Sequence, residues 1–268
     1  MVLTIFTSGR RPSEATEYNR SQYEHAPPCF HWRTRAMQTP SFRLFGCRVE
    51  NRRRRRIHVA STVPLVMKVT FAHGLWSSTD SSKAAWMRAQ GWDVTTLDMR
   101  KYGWDQASQT RVVLEAIDEL GPFDVLIGSS FGGLATANAA AQRPEANLRL
   151  VLLAPAFGYD ELVASTLGQE AMEAWEQSGT HAFQPPGWDE PVIMPWSFVE
   201  VARTHSWPAL HHPTAILHGT GDDVVPLANS ERAKETLDHV SLHVVDDGHR
   251  LHESLSELIP LTRLVMDA

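Results

Sequence analysis

Cysteine and long apolar runs are scarce in this chain of 268 residues. Cys29 and Cys47 are too few to staple a chain of this length, and their scarcity favours a reducing compartment, the cytoplasm. No run approaches the roughly 18–20 apolar residues that a membrane-spanning helix needs, so we expect no membrane association through a span. The common zinc-motif spacings are also absent, and the sequence predicts neither a metal site nor a cofactor.

Positive charge is concentrated near the N-terminus. Residues 1–66 contain 12 Arg, no Lys and four Glu, a formal charge of +8. Residues 67–268 contain 13 basic and 27 acidic residues, a formal charge of −14. Because these basic residues form no stripe and the net charge is negative, we expect neither a nucleic-acid partner nor binding to an anionic membrane surface.

Residues 1–66 show no helical or strand periodicity, and prolines are scattered among their polar residues. We predict a disordered, Arg-rich extension. The Arg run at 52–56 is interpreted as a solvated charge block, with nucleic-acid binding or a targeting address as alternatives. An organellar transit peptide fits the arginine content but not the acids. A start at Met67 would also explain the change in composition.

From Lys68 onward, short apolar runs alternate with helical patterns, which predicts an α/β fold with a mostly parallel sheet covered by helices on both faces. The predicted strands are Lys68–Ala72, Val94–Leu97, Val125–Ile127, Leu148–Leu153, Thr214–Leu217 and Ser241–Val245. The predicted helices are Ser82–Gln90, Gln106–Leu120, Phe131–Gln142, Leu227–Leu237 and Glu253–Met266.

Two segments carry further structural information. In the helix predicted at 106–120, the apolar residues share one face, which we expect to be buried: Val112, Val113, Ala116, Ile117 and Leu120. The segment at 156–212 is rich in Trp and Pro and is too long for a plain connection. We therefore predict that it forms a small lid.

A candidate nucleophile follows the third predicted strand. Ser130 is the centre of a Gly-x-Ser-x-Gly pattern between that strand and an Ala-rich helix. Glycines on both sides allow a sharp turn that exposes the hydroxyl, and the start of the helix offers free backbone N–H groups to an oxyanion. The alternative is a Gly/Ser-rich turn without a function.

A serine nucleophile needs a base and an acid, and both follow later predicted strands. We assign the base to His249, with His243 and His252 as alternatives. We assign the acid to Asp222, although the sequence alone does not separate it from Asp223. The order Ser, Asp, His along the chain is typical of one class of serine hydrolases.

Other residues near the strand ends receive supporting roles. The His73-Gly74 turn after the first strand can aim the backbone N–H of Leu75 at the same point as the N–H of Phe131, and we predict that these two groups form an oxyanion hole. Asp246 and Asp247, which come just before His249, are expected to be solvated turn residues.

The region from Lys68 to about Met266 resembles an α/β-hydrolase, so the chain divides into an extension, 1–66, and a hydrolase domain, 67–268. The motifs that carry the resemblance are His73-Gly74, Gly128-Ser129-Ser130-Phe131-Gly132, His218-Gly219-Thr220-Gly221-Asp222 and Gly248-His249. It is similar to the small YqiA/YcfP-type esterases and to retinoblastoma-binding-protein-9-like serine hydrolases. The resemblance implies a cofactor-free serine hydrolase that acts on small-molecule esters or thioesters.

We therefore expect an enzyme that cleaves carboxylic esters of small or medium acyl groups, with substrate contacts from Trp76 and Trp196. A thioesterase, an acyltransferase or a peptidase would use the same triad. A third alternative is a non-catalytic interaction protein on a hydrolase scaffold. The sequence leaves the oligomeric state open.

Overall fold

The computed structural model describes residues 66–235 and 237–268. This part of the chain contains the strands β1 (Lys68–Ala72), β2 (Asp93–Leu97), β3 (Val125–Ser129), β4 (Leu150–Leu153), β5 (Thr180–Phe183), β6 (Val192–Pro195), β7 (Thr214–Gly219) and β8 (Val240–Val245). Its helices are α1 (Ser82–Ala89), α2 (Gln106–Glu115), α3 (Phe131–Ala141), α4 (Tyr159–Leu167), α5 (Gln169–Ser178), α6 (Ser197–His205), α7 (Leu227–Lys234) and α8 (Leu258–Met266).

Six strands form one parallel sheet in the order β2-β1-β3-β4-β7-β8. The chain therefore leaves every strand of this sheet at the same edge. The loops that follow β1, β3, β7 and β8 all start there. In open parallel sheets this edge is where binding and catalytic groups collect.

Residues within each central strand alternate between two apolar layers, because successive side chains point to opposite faces of a sheet. On one face, Val151 and Leu217 pack against α1 and α8. On the other face, Leu152 and Ile216 pack against α3 and the segment between β4 and β7. Both faces are covered, as the near-continuous apolar strands predicted.

The segment between β4 and β7 folds into α4, α5, α6 and an antiparallel hairpin of β5 and β6. It corresponds to the lid predicted at 156–212. Its centre is Trp175, which is 1% exposed and donates a hydrogen bond from Nε1 to the Met194 carbonyl at 3.1 Å. Phe198, also buried, stacks against the Trp175 ring. This segment, 154–213, is an insertion between two strands of the sheet, and it has an aromatic core of its own.

Replacing Trp175 by alanine is expected to destabilise the protein by about 3–5 kcal/mol, the usual cost of removing a buried aromatic side chain. Urea unfolding followed by circular dichroism would measure this change. The variant Trp175→Phe retains most of the apolar volume but loses the Nε1 donor, so its loss should be smaller. An alanine variant as stable as the wild type would show that this core does not stabilise the fold.

All six predicted strands are confirmed, with ends that differ by at most two residues. The prediction for the helix at 106–120 was wrong at its end, because Ala116–Leu120 is a π-helical turn. The wider turn changes the angle between successive residues, so Leu120 leaves the buried face and is 50% exposed. The last helix also begins with a 3₁₀ turn, Leu255–Glu257, rather than at Glu253.

The predicted extension at 1–66 lies outside the described residues apart from Val66. Disorder in that segment and its boundary with the hydrolase domain stay predictions. Within the described ranges, 66–235 and 237–268, none of the helices has the length and apolar composition required to cross a bilayer.

Candidate active site

Ser130 lies in a sharp turn between β3 and α3. Its backbone has φ 55° and ψ −121°, a region that residues with a Cβ rarely occupy. The Ser130 N–H donates to the Leu153 carbonyl, and its own carbonyl accepts from Leu134 and Ala156, which holds the turn in place. Such strain persists only where the surroundings fix it, and it is concentrated at functional sites.

Two glycines make this turn sterically possible. A methyl group at Gly128 would lie 2.7 Å from the Gly132 carbonyl oxygen. A methyl group at Gly132 would overlap the carbonyl oxygens of Ala72 and His73 at the end of β1. The Gly-x-Ser-x-Gly spacing therefore reflects close approach of α3 to β3 and β1, and this approach brings the β1 loop next to Ser130.

The structure brings Ser130, His249 and Asp222 together. His249 Nε2 lies 3.0 Å from Ser130 Oγ, and His249 Nδ1 lies 2.8 Å from Asp222 Oδ2. The His249 side chain is 17% exposed and that of Asp222 is 1% exposed. His252, an alternative base, is exposed, and His243 lies within β8. The arrangement can move a proton from Ser130 to His249 while a carboxylate holds the opposite side of the ring.

Asp222 is tightly held. Its Oδ1 accepts backbone hydrogen bonds from Val224 and Val225 at 2.9 and 2.8 Å, and its Oδ2 lies 3.1 Å from His218 Nε2 as well as near His249. Burial favours the neutral acid, but the hydrogen bonds from His218, His249 and Val225 outweigh it and hold the pKa of Asp222 well below its ordinary value. The neighbouring Asp223 is exposed.

This depressed pKa predicts a specific loss of stability in acid. A carboxyl group with a lower pKa in the folded state contributes stability above its unfolded pKa, and the contribution disappears as the pH falls through the folded value. We expect the unfolding free energy of the wild type to fall below about pH 4 more steeply than that of Asp222→Asn, which cannot titrate.

Chemical denaturation at several pH values between 7 and 3 would measure these slopes. The exposed neighbour gives a matched control, because Asp223→Asn should keep the steep wild-type slope. Equal slopes for the wild type and Asp222→Asn would contradict the assignment.

The loop that carries His249 is fixed by Asp247. Its carboxylate accepts from the backbone N–H of Gly248 at 2.7 Å and from those of Glu253 and Ser254 at 3.0 Å each. The expectation that Asp247 is a solvated turn residue was therefore wrong. Sequence alone gave no signal for this role, because the accepting contacts depend on how the loop folds back. The desolvation of Asp247 opposes these hydrogen bonds, which nevertheless lower its pKa.

Leu75 and Phe131 present the backbone N–H groups predicted to form an oxyanion hole. Among the described residues, no acceptor pairs with either group. Gly74 lies directly against Ser130, since a methyl group on it would be 3.3 Å from Ser130 Cβ. The Arg100 guanidinium donates to the Ser77 carbonyl at 2.9 Å and thereby braces the same loop. Gly74, which precedes Leu75, therefore lies beside Ser130, and Phe131 follows that serine directly in the chain.

Trp76 and Trp196, the predicted substrate contacts, lie in different surroundings. Trp76, in the loop after β1, packs against Trp104 and Trp188 with ring centroids 5.6 and 6.4 Å apart. Trp196 packs against Trp175 in the core of the insertion and lies under Arg203. Trp76 thus lies in the same loop as Leu75, whereas the ring of Trp196 packs within the segment between β4 and β7.

The model of an uncharacterised protein family, UPF0227, matches residues 68–265, a range that includes Ser130, Asp222 and His249. The chain belongs to the UPF0227 family. The predicted resemblance to the α/β-hydrolases, and to their YqiA-type members, is confirmed.

Curated relatives of the UPF0227 chain match about half of its length. The human palmitoyl-protein thioesterase ABHD10, mitochondrial, is 32% identical over 155 residues, which cover 53% of this chain and 49% of that protein. The chain spans about half the length of the curated relatives it matches.

Two solved structures share the fold of the UPF0227 chain. Mouse alpha/beta hydrolase domain-containing protein 10 superposes with a TM-score of 0.60 at 24% identity, over 75% of this chain and 89% of that one. A putative hydrolase from Agrobacterium vitis gives 0.63 at 20% identity, over 75% and 88%. At these identities the two structures show a shared fold. Among the described residues, no cluster of three His, Cys, Asp or Glu side chains is arranged to hold a metal ion.

Proposed function

We propose that this protein is a serine hydrolase that cleaves carboxylic esters of small or medium acyl groups. The observation that carries the proposal is the hydrogen-bonded series Ser130–His249–Asp222, at 3.0 and 2.8 Å, together with the backbone N–H groups of Leu75 and Phe131, which have no acceptor among the described residues. Each part has a distinct task in acyl transfer: nucleophile, base, orienting acid and oxyanion donors. A packed structural cluster would not require two free amide donors beside a strained serine.

The reaction takes place in two steps. His249 Nε2 accepts the proton of Ser130 as Oγ attacks the acyl carbonyl, and the N–H groups of Leu75 and Phe131 stabilise the oxyanion. The protonated His249 then gives its proton to the leaving oxygen, which departs as an alcohol and leaves an acyl-enzyme. Water, deprotonated by His249, then attacks the acyl-enzyme, and the imidazolium returns that proton to Ser130 Oγ as the acid is released. Asp222 stabilises the imidazolium in both steps.

The substrate is proposed to contact an aromatic surface that includes Trp76 of the loop after β1, the loop that carries Leu75. Trp76, Trp104, Trp188 and Phe183 bring the β1 loop, the β2 loop and the β5–β6 hairpin together. Such surfaces favour apolar acyl or alcohol groups. Trp196 does not belong to this surface, because its ring packs against Trp175 and lies under the Arg203 guanidinium.

Thioester cleavage is the second candidate, and one observation favours it. The human relative that matches 53% of this chain is named a palmitoyl-protein thioesterase. The same triad cleaves both bond types, since only the leaving atom changes from oxygen to sulfur.

The decisive experiment exposes the full chain to a fluorophosphonate probe and then measures hydrolysis of matched oxygen esters and thioesters. Acyl chains of increasing length would identify the preferred bond and group. We expect one adduct, on Ser130, that is absent in His249→Ala. Folded protein that neither reacts with the probe nor hydrolyses any substrate would refute the proposal and favour the interaction protein.

We also propose that the protein acts in the cytoplasm on small molecules. The support is the low cysteine content of the sequence. The human relative is named mitochondrial, which makes an organelle the competing location. Fractionation of cells that express the full chain with a C-terminal tag would separate the two, and recovery with mitochondria would contradict this proposal.

A further inference from the structure

His218 is a fully buried histidine that the reaction above does not use. It lies in β7, and its side chain is 0% exposed. Its Nε2 is 3.0 Å from the Val225 carbonyl oxygen and 3.1 Å from Asp222 Oδ2. Its Nδ1 is 2.7 Å from the Ser230 hydroxyl, which is also buried. Both nitrogens of the ring are therefore engaged.

These contacts determine which nitrogen carries the proton. The Val225 carbonyl and the ionised Asp222 can only accept hydrogen bonds, so His218 Nε2 must be protonated. Ser230 can then donate its hydroxyl proton to Nδ1. The ring is fully hydrogen-bonded in its neutral form, and no charge has to be buried.

The carboxylate of Asp222 consequently has four donors. Two backbone N–H groups bind Oδ1, and the two imidazoles of His218 and His249 share Oδ2. Rotation about the last side-chain bond of an aspartate is otherwise soft. The donor from His218 therefore keeps Oδ2 aimed at His249 Nδ1, and it draws off part of the negative charge that His249 would experience.

We propose that His218 is a positioning residue that acts on the reaction through Asp222, with Ser230 holding the ring in place at Nδ1. The inference rests on the proposed hydrolase function. Losing the His218 donor leaves Asp222 Oδ2 with His249 alone, so the carboxylate becomes less constrained and a stronger partner for the imidazolium. The pKa of His249 should then rise, and less of it should be the free base at a given pH.

The test compares His218→Leu, which removes both ring nitrogens, with His218→Gln, which retains a terminal N–H donor. A third variant, Ser230→Ala, retains the ring but removes its hydrogen bond at Nδ1, so the ring is held less firmly against Asp222. Hydrolysis of p-nitrophenyl butyrate would be measured across pH. We expect His218→Leu to lower kcat by about 10- to 100-fold with little change in KM, as for the loss of one hydrogen bond to a charged group.

The acid limb of the kcat/KM profile should move to higher pH in His218→Leu and return toward the wild-type position in His218→Gln. Ser230→Ala should shift it in the same direction by a smaller amount. A purely structural role would reduce the folded fraction but would leave the shape of the pH profile unchanged. If His218→Leu does not fold, Ser230→Ala carries the comparison, and a pH profile of that variant identical to the wild-type profile would overturn the proposal.

Titration of the His249 ring by NMR separates this proposal from the hydrolase function. A His249 pKa that rises in neither His218→Leu nor Ser230→Ala, while the wild type hydrolyses esters, overturns the role of His218 and leaves the hydrolase function standing. A His249 pKa that rises in a protein that hydrolyses nothing supports the coupling and overturns the hydrolase.

Discussion

Replacing Ser130 by alanine is expected to lower kcat by about 10⁴-fold or more, with thermal stability close to that of the wild type. In the proposed reaction, Ser130 Oγ forms the covalent bond to the acyl group, and neither His249 nor the proposed oxyanion donors can replace it. His249→Ala should have an effect of the same order, because the members of a triad act as a unit. Rates of ester hydrolysis with each purified variant would measure both losses.

The loop after β1 provides a matched control for the serine. Ser78 is exposed, and its hydroxyl oxygen accepts a hydrogen bond from the Asp80 N–H. Ser78→Ala should therefore keep wild-type activity and fluorophosphonate labelling. Retention of more than about a tenth of the activity in Ser130→Ala would point to another nucleophile, and peptide mapping of the adduct would locate it.

The framework of the site could be predicted from the sequence because its determinants are local. The short apolar strands and the helices between them specify a parallel sheet, and the residue after each strand must then lie at one edge. That geometry alone places Ser130 and His249 together although they are 119 residues apart. The glycines at 128 and 132 add a local steric signal for the turn.

The contacts that hold the site in place were not predictable in this way. Asp247 accepts hydrogen bonds from the backbone of its own loop, and His218 donates to Asp222. Both contacts form only when the chain after β7 and the chain after β8 fold into place. A histidine before a glycine at a strand end resembles an ordinary turn residue. Its spacing of four residues from Asp222 gives no helical relation here, because the chain leaves β7 between the two.

The difference between Trp76 and Trp196 has the same origin. Both are aromatic residues in loops, and a pattern of tryptophans does not say which ones form a core. The insertion must bury its own apolar surface, so Trp196 packs against Trp175. Trp76 comes two residues after Gly74, which lies next to Ser130. The position of this loop is set by the end of β1 in the sheet.

The variants Asp222→Asn and Asp223→Asn should differ by about three to four orders of magnitude in kcat, although the two residues are neighbours. Oδ1 of Asp222 accepts two backbone N–H groups, so an asparagine there must direct its carbonyl oxygen to Val224 and Val225. Its NH₂ group then occupies the position of Oδ2 and faces His249 Nδ1.

That arrangement forces His249 into the wrong tautomer. Nδ1 must now accept from the amide, so the ring proton moves to Nε2, where it blocks removal of the Ser130 proton. Asp223 is exposed and should tolerate asparagine with less than about a twofold change, as is usual for surface positions. Parallel measurements of kcat and KM would test the pair. Comparable losses in both variants would mean that the two carboxylates exchange roles in solution, and the fixed geometry around Asp222 would then not describe the working enzyme.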